Sequence, residues 1–185
     1  SRSVIADNRF RGEASRGHHI KFVGLVAPRA SEFSVIARNE FIAGDCAWSV
    51  GIGPQNQSQP EIVDHVLLDS NFWDATGQTG IRAAITSRGA SNVTVRNNVF
   101  LENSLALGAT NGISFYNCGA GHVVENNLFF STRGRSAISD TRGDASYTAA
   151  GNLLDMDPEL VAPAAFDFHL ASGSPAIDRA LRIPE

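Results

Sequence analysis

The chain has 185 residues, of which 43% are hydrophobic and 18% charged, and its formal net charge is −4. A chain of this length can form one domain with a substantial core, and its charge gives no reason to expect nucleic acid or an anionic membrane surface as a partner. No run approaches the roughly 20 apolar residues that a membrane span needs.

A short pattern recurs along the chain: an apolar residue, two further residues, an asparagine, one more residue and a large apolar residue. The asparagines are spaced by 31, 32, 27, 29 and 25 residues. Such a period is typical of a solenoid, in which each coil buries its apolar side against the next coil. The asparagines are Asn8, Asn39, Asn71, Asn98, Asn127 and, in a weaker repeat, Asn152.

A second apolar stretch follows each of the first five asparagines and begins to alternate with period two, as a half-buried strand does. The asparagine pattern and the second apolar stretch follow each other in the same order and at similar distances in these five repeats. We therefore predict strands stacked about 4.8 Å apart, with equivalent positions directly above one another. The asparagines then form a ladder in a tight bend, where Asn tolerates a positive φ and its amide bonds to the next coil. We take the centres of the second stretch to be Ile20, Val50, Ile81, Ile113 and Ile138.

Charged residues beside the asparagines give an independent check of this register. Asp7 would stack on Arg38, and Arg9 on Glu40. Opposite charges therefore alternate in these columns, whereas like charges directly opposed would destabilise the stack. A third column, two positions before the asparagine, would hold Asp69, Arg96 and Glu125.

A leucine-rich repeat is the main alternative fold. Its period of about 20–29 residues is shorter than the early spacings here, and it requires a leucine five residues before the asparagine. This chain has Ser3, Ser34, Val66, Val93, His122 and Tyr147 at those positions. We therefore predict an all-β parallel helix of about six coils over residues 1–154, closed by a C-terminal segment of the same domain, residues 155–185.

Residues 93–100 and 122–129, together with the tail at 157–158, 167–170 and 173–178, resemble the bacterial right-handed parallel β-helix repeat proteins of the pectate-lyase-like superfamily. The resemblance covers nearly the whole chain and implies a secreted or cell-surface protein. It also implies carbohydrate chemistry, because the superfamily includes pectate, alginate and chondroitin lyases and polygalacturonases besides non-catalytic surface proteins. Calcium as a cofactor is suggested by this resemblance alone. The usual N-terminal cap of such helices is not in the sequence, so we expect either further coils or domains ahead of Ser1 or a first coil that lies against another part of a larger assembly.

If the strand centres point inward, their neighbours form an outward stripe. A uronate would fit the gap at Gly51 between Lys21 and Arg82, which we expect about 10 Å apart. A lyase needs a cation to neutralise the sugar carboxylate and a base to remove the adjacent proton. We expect Lys21 or Arg82 as the cation and His19 or Tyr116 as the base. The full stripe is His19, Lys21, Ser49, Gly51, Arg82, Ser114, Tyr116 and Ser139.

The sequence leaves the function open between two classes. The first is extracellular recognition or cleavage of an acidic polysaccharide, most concretely by a lyase acting on a uronate polymer. The second is a non-catalytic β-helical surface or assembly module. A glycosidase pair of Asp69 and Glu125 ranks lower, because Arg96 lies between the two carboxylates. Cys46 and Cys118 fall at different points around the coil, so both should be free thiols.

Overall fold

The computed structural model describes residues 2–11, 18–22, 25–26, 33–42, 48–53, 61–74, 83–101, 111–116, 119–130, 137–140, 147–154, 156–162, 165 and 167–180. Throughout these ranges the regular structure is β, without an α-helix. A helix long and apolar enough to cross a membrane does not occur in them. Cys46 and Cys118 lie outside the described residues.

Three parallel sheets contain most of the strands, and the chain passes through them in the same order in every repeat. We call one such passage a coil. Sheet A consists of β1 (Ser3–Ala6), β5 (Ser34–Ala37), β8 (Glu61–Asp69), β11 (Ala90–Arg96), β14 (His122–Glu125) and β17 (Tyr147–Ala150), with the short β4 (Leu25–Val26) antiparallel to β8. Sheet B consists of β2 (Arg9–Arg11), β6 (Glu40–Ile42), β9 (Phe72–Asp74), β12 (Val99–Leu101), β15 (Leu128–Phe130) and β18 (Leu153–Leu154). Sheet C consists of β3 (His18–Phe22), β7 (Trp48–Ile52), β10 (Ala83–Arg88), β13 (Asn111–Tyr116) and β16 (Ile138–Asp140).

This arrangement confirms the prediction of an all-β chain of stacked parallel strands and is compatible with a parallel β-helix. Three sheets per repeat do not fit a leucine-rich repeat, which builds one strand and a helical segment in each repeat. The phase of the sequence pattern is retained in sheets A and B, where Ile5 pairs with Ile36 and Phe10 with Phe41.

The interior is built from columns of equivalent side chains, to which all three sheets contribute. The column of sheet B is aromatic, with neighbouring rings stacked 4.6–5.0 Å apart and within 7° of parallel. Stacked rings of this kind stabilise a core beyond the area that they bury. In chain order this column is Phe10, Phe41, Trp73, Phe100 and Phe129.

The asparagine ladder is present at all five junctions between Asn8 and Asn152. At each junction the backbone N–H of one asparagine donates to the Oδ1 of the next, at 2.8–3.0 Å. The side-chain Nδ2 donates to the same Oδ1 at 2.9–3.1 Å. A further bond runs from the next Nδ2 back to a sheet A carbonyl, at 2.8–3.0 Å. The ladder therefore satisfies polar groups that the bend would leave buried and unpaired.

One detail of the predicted bend is wrong. The positive φ belongs to the residue before each ladder asparagine, and the asparagine itself is absent from the set of left-handed residues. In this way the bend is made by one residue and its polar groups are satisfied by the next. The left-handed residues are Asp7, Arg38, Ser70, Asn97, Asn126 and Gly151, with φ between 52° and 62°.

The charge columns confirm the predicted register. Arg38 pairs with Asp7 at 2.7 Å, and Arg9 pairs with Glu40. Both pairs are exposed to solvent, which screens them, so they serve as evidence of register more than as a source of stability. The hydrogen bond from Arg38 holds the pKa of Asp7 below its usual value.

The chain after β18 does not continue the stack. It forms an antiparallel pair of its own, β19 (Leu160–Ala162) and β20 (Asp167–Leu170), held also by a bond from the Ala171 N–H to the Glu159 carbonyl. Ser174 is buried and donates to the carbonyl of Pro158 at 2.6 Å. This C-terminal segment lies beside Leu101 and Phe130, on the outside of sheet B.

Candidate functional site on the outer face of sheet C

Two rows of side chains lie on the outer face of sheet C, in positions that alternate with the buried columns. In the first row Lys21 pairs with Gly51, Gly51 with Thr86, Thr86 with Ser114, and Ser114 with Ser139. In the second row Arg88 pairs with Tyr116. The face thus has one cation, Lys21, on its first strand, a second, Arg88, on its middle strand, and hydroxyl groups on the middle strand and the two that follow it.

The predicted register was wrong in the third coil. Val50 and Ile113 both pair with Ile85, four residues after the Ile81 chosen from the sequence. Thr86 therefore takes the place assigned to Arg82, and Arg82 itself lies outside the described residues. The physical reason is that the connection between two sheets can vary in length without breaking the stack. The strand that pairs with Val50 could therefore begin later in the chain than the alternating stretch around Ile81.

His19 does not lie on the outer face as predicted. Its ring centroid is 6.1 Å from that of Phe10 and 6.0 Å from that of Phe41, so it contacts the aromatic column. The ring is half-buried there. Gly112, at the equivalent position three strands along the sheet, shows the same orientation, because a Cβ added to it would clash with the Phe129 ring at 2.5 Å. This strand position therefore faces the interior near the bend from sheet B.

Arg88 and Tyr116 lie close together on this face. The Arg88 guanidinium carbon lies over the Tyr116 ring, 5.2 Å from its centroid, and both side chains are half-buried. A cation at this distance from an aromatic face is attracted by the electrons of the ring. Gly53 permits the approach of the neighbouring coil, since its φ is +88° and a Cβ would lie 1.6 Å from the Arg88 carbonyl oxygen.

The other predicted residues are less close to this pair. Lys21 is in the first coil and Tyr116 in the fourth. Three strand spacings, about 14 Å in all, therefore separate the two residues along the stack. Between them Gly51 and Thr86 are buried, which means that the centre of the row is covered. The structure therefore brings Tyr116 together with Arg88 and not with Lys21.

Sequence reasoning missed Arg88, although a signal was present. Ala83–Arg88 contains its own alternation around Ile85, and placing Ile85 against Val50 puts Arg88 two positions beyond Thr86. The length of the preceding connection gave no means of choosing between Ile81 and Ile85.

Among the described residues, Asp69 and Glu125 belong to a column of alternating charges. Asp69 pairs with Arg96 at 3.2 Å, and Arg96 is in register with Glu125 on its other side, so the column is a charge ladder. Within the described ranges, groups of three His, Cys, Asp or Glu side chains able to share a metal ion do not occur.

A scan against protein-family models gives no match for this chain, and searches of curated proteins and of solved structures give none either. The functional argument therefore rests on the geometry of the chain itself.

His122 is a buried titratable residue outside this face. Its Nδ1 accepts from the Val93 N–H at 3.2 Å, and its ring stacks on Phe115 at 4.6 Å. Burial lowers the pKa of His122 below 6.5, while the backbone of Gly119 and the charge of Asp140 oppose this shift. The folded chain therefore favours the neutral imidazole.

Acid should weaken the fold through His122. The neutral ring contributes stability that is complete above the unfolded pKa of 6.5 and is lost as the pH falls towards the lower folded pKa. We expect His122→Phe to be less stable than the wild type at about pH 7.5, because Val93 loses its acceptor. The difference in the free energy of unfolding between the two should shrink towards about pH 5.5. Denaturant unfolding at several pH values measures the gap.

His169→Asn is the control for this experiment. The His169 side chain is 90% exposed and lies on the C-terminal segment, so its replacement leaves the contact of His122 with Val93 intact. The difference in the free energy of unfolding between His169→Asn and the wild type should not shrink as the pH is lowered. A gap for His122→Phe that is constant across this pH range would contradict the account of His122.

Proposed function

We propose that the chain is a right-handed parallel β-helix of the pectate-lyase-like kind that acts outside the bacterial cell or at its surface. Its ligand is an acidic polysaccharide, and the most concrete form of the activity is a lyase acting on a uronate polymer. The observation that supports this most is the Arg88 guanidinium over the Tyr116 ring, beside the hydroxyl row of sheet C.

The chemistry of uronate cleavage matches these groups. The carboxylate of the sugar needs a cation that stabilises the charge developing when the adjacent proton leaves, and Arg88 supplies it. The proton needs a base within reach of the same sugar, and the Tyr116 oxygen takes this role. The electron pair left by the proton forms the carbon–carbon double bond as the adjacent bond to the leaving sugar oxygen breaks, and that oxygen takes up the proton from Tyr116. Ser114 and Ser139 lie one and two coils beyond Arg88, and their hydroxyls suit the hydrogen-bonding groups of a sugar chain. Lys21 extends the cationic character to the first coil.

Cleavage should create unsaturated uronate ends, which absorb in the ultraviolet. We expect the purified chain to give this signal with at least one polymer from a panel of pectate, alginate and glycosaminoglycans. Arg88→Ala and Tyr116→Phe should each lower the rate by at least about 100-fold, because each removes a group that acts on the reacting sugar. Lys21→Ala should mainly weaken binding.

Arg38→Ala is a matched control, because Arg38 is an exposed cation at the bend between sheets A and B. It should leave the rate unchanged. No new absorbance with any polymer, with or without calcium, would overturn the lyase. Retention on a polysaccharide column without cleavage would leave recognition as the function.

The second candidate is a non-catalytic surface or assembly module. Exposed apolar side chains at the two ends of the stack favour it: Val4 is 63% exposed and Leu154 is 54% exposed. This candidate predicts neither cleavage nor polysaccharide retention.

A further inference from the structure

A second group of polar side chains lies at the corner where the chain passes from sheet C to sheet A. Its members are half-buried or exposed, whereas the strand positions on either side of it are buried, namely Val63, Ala90, Val66 and Val93. The group therefore faces outward between two buried columns. We call it the corner cluster, and it consists of Asp64 and His65 of β8 and Ser91 and Asn92 of β11.

A left-handed residue makes the cluster possible. Adjacent residues of a regular strand direct their side chains to opposite faces, which would separate Asp64 from His65. His65 has a φ of 54°, and this turn of the backbone brings its ring to the Asp64 carboxylate. The equivalent residues of the next two coils also have a positive φ, 51° at Asn92 and 84° at Gly121. The same bend is therefore stacked in three coils, with a different side chain in each.

The Asp64 carboxylate fixes the direction of the His65 ring. Its Oδ1 accepts from the His65 backbone N–H at 3.0 Å and from the Asn92 Nδ2 at 2.7 Å, and its Oδ2 lies 3.0 Å from the ring Nδ1. A carboxylate at this position holds a proton on Nδ1, so Nε2 of the neutral ring carries the lone pair. Among the described residues none hydrogen-bonds to Nε2, and the side chain is 56% exposed. The ring therefore presents an oriented acceptor to solvent.

Two glycines of the next coil make room for the rest of the cluster. A Cβ at Gly119 would lie 2.1 Å from the Ser91 Oγ, and one at Gly121 would lie 2.1 Å from the Asn92 Oδ1. The serine hydroxyl and the amide oxygen thus occupy space that larger residues would fill, and both side chains stay partly exposed. The corner cluster therefore offers acceptors on His65, Ser91 and Asn92, and the hydroxyl also donates.

These atoms suit the hydroxyl groups of a sugar, which donate hydrogen bonds to such acceptors. A carboxylate suits them less, because the negative charge of Asp64 opposes it. The cluster is also near the candidate site, since Ser91 follows Arg88 by three residues, at most about 10 Å of extended chain. Neighbouring sugars of one polymer can therefore reach the Arg88–Tyr116 pair and the corner cluster together.

We propose that the corner cluster is a second sugar-binding site, which binds hydroxyl groups of a unit close to the one held by Arg88 in the same polymer. This inference rests on the polysaccharide ligand proposed above. His65 and Ser91 contact the sugar, whereas Asp64 is a positioning residue that acts through the His65 ring. The second site makes affinity depend on the length of the bound polymer.

Nuclear magnetic resonance tests the positioning role, because the nitrogen-15 chemical shifts of an imidazole distinguish its two tautomers. At about pH 8, where an imidazole is neutral, His65 should carry its proton on Nδ1. Asp64→Asn should move the proton towards Nε2, since an amide is a weaker acceptor than a carboxylate. Asp7→Asn is the control, because Asp7 is an exposed carboxylate in another bend, and it should leave the shifts unchanged. A wild-type ring with its proton on Nε2 would overturn the proposal.

Calorimetric titration tests the site itself, in a Tyr116→Phe background so that the ligand is not cleaved. The ligands are disaccharides and hexasaccharides prepared from pectate, alginate and chondroitin. For at least one polymer the hexasaccharide should bind about 10-fold more tightly than the disaccharide, because it reaches both sites. His65→Gly, which retains the backbone bend, and Ser91→Ala should each remove most of this difference and leave the affinity for the disaccharide unchanged.

His169→Asn is the control for the titration, because it removes another exposed histidine beside a carboxylate, and it should change neither affinity. A hexasaccharide that binds no more tightly than the disaccharide, or whose affinity neither variant lowers, would overturn the second site and leave the polysaccharide ligand in place. Absence of binding for both lengths of all three polymers would overturn the polysaccharide ligand and the second site with it.

Discussion

Asn98→Ala should lower the free energy of unfolding by about 2–4 kcal/mol. Asn98 is buried in the middle of the ladder, and its Oδ1 accepts from both the backbone N–H and the Nδ2 of Asn71. Its own Nδ2 donates to Asn127 and to the Leu68 carbonyl. Alanine removes all of these bonds and leaves their partners inside the bend, where water does not replace them. Denaturant unfolding monitored by circular dichroism measures the loss.

Asn8→Ala is the matched control at the end of the same ladder. Asn8 is exposed, and it is joined to the ladder on one side through Asn39. Its loss should be about 1 kcal/mol or less, measured at a concentration where the chain is monomeric. Equal losses for Asn8→Ala and Asn98→Ala would mean that the ladder does not stabilise the interior.

Phe100→Ala should cost about 3–5 kcal/mol, the largest effect that we expect from one substitution. Phe100 is fully buried, and its ring lies 4.7 Å from Trp73 and 4.6 Å from Phe129. Neighbouring coils are held at a fixed spacing by their strands, so the stack cannot collapse to fill the space that the ring leaves. The cost therefore includes both the lost burial and the cavity.

Phe10→Ala tests whether position in the column sets this cost. The Phe10 ring is half-buried and stacks on one column neighbour, Phe41, at 5.0 Å. We expect a loss of about 1–2 kcal/mol, again from denaturant unfolding of the monomer. A larger loss for Phe10→Ala than for Phe100→Ala would place the core elsewhere than in the middle of the stack.

The ladder and the aromatic column could be predicted from the sequence because their chemistry repeats. Asparagine and a large apolar residue keep a fixed offset in every coil, and this offset survives changes in the length of the intervening segments. Asp7 with Arg38 and Arg9 with Glu40 then fixed the register of the first two coils independently, since opposite charges had to coincide.

The candidate site was harder to predict, because it depends on the segments whose length varies. Ile81 and Ile85 both begin an alternating stretch, and only the pairing with Val50 and Ile113 chooses Ile85. That choice brings Arg88 to Tyr116. The orientation of His19 was missed for a related reason: near a bend, strand alternation no longer tells which side faces the interior, and the ring contacts Phe41.

The most direct test of the stacked-coil account is the hydrogen exchange of the asparagine side-chain amides, measured by nuclear magnetic resonance. The Nδ2 groups of Asn39, Asn71 and Asn127 each donate to two acceptors in neighbouring coils. The control is Asn97, an exposed residue whose Nδ2 makes a solvent-accessible bond to the Asp69 carboxylate. The account predicts that the three ladder amides exchange many times more slowly than the Asn97 amide, because they open only when the coils separate. Exchange of all four amides at the same fast rate would contradict it.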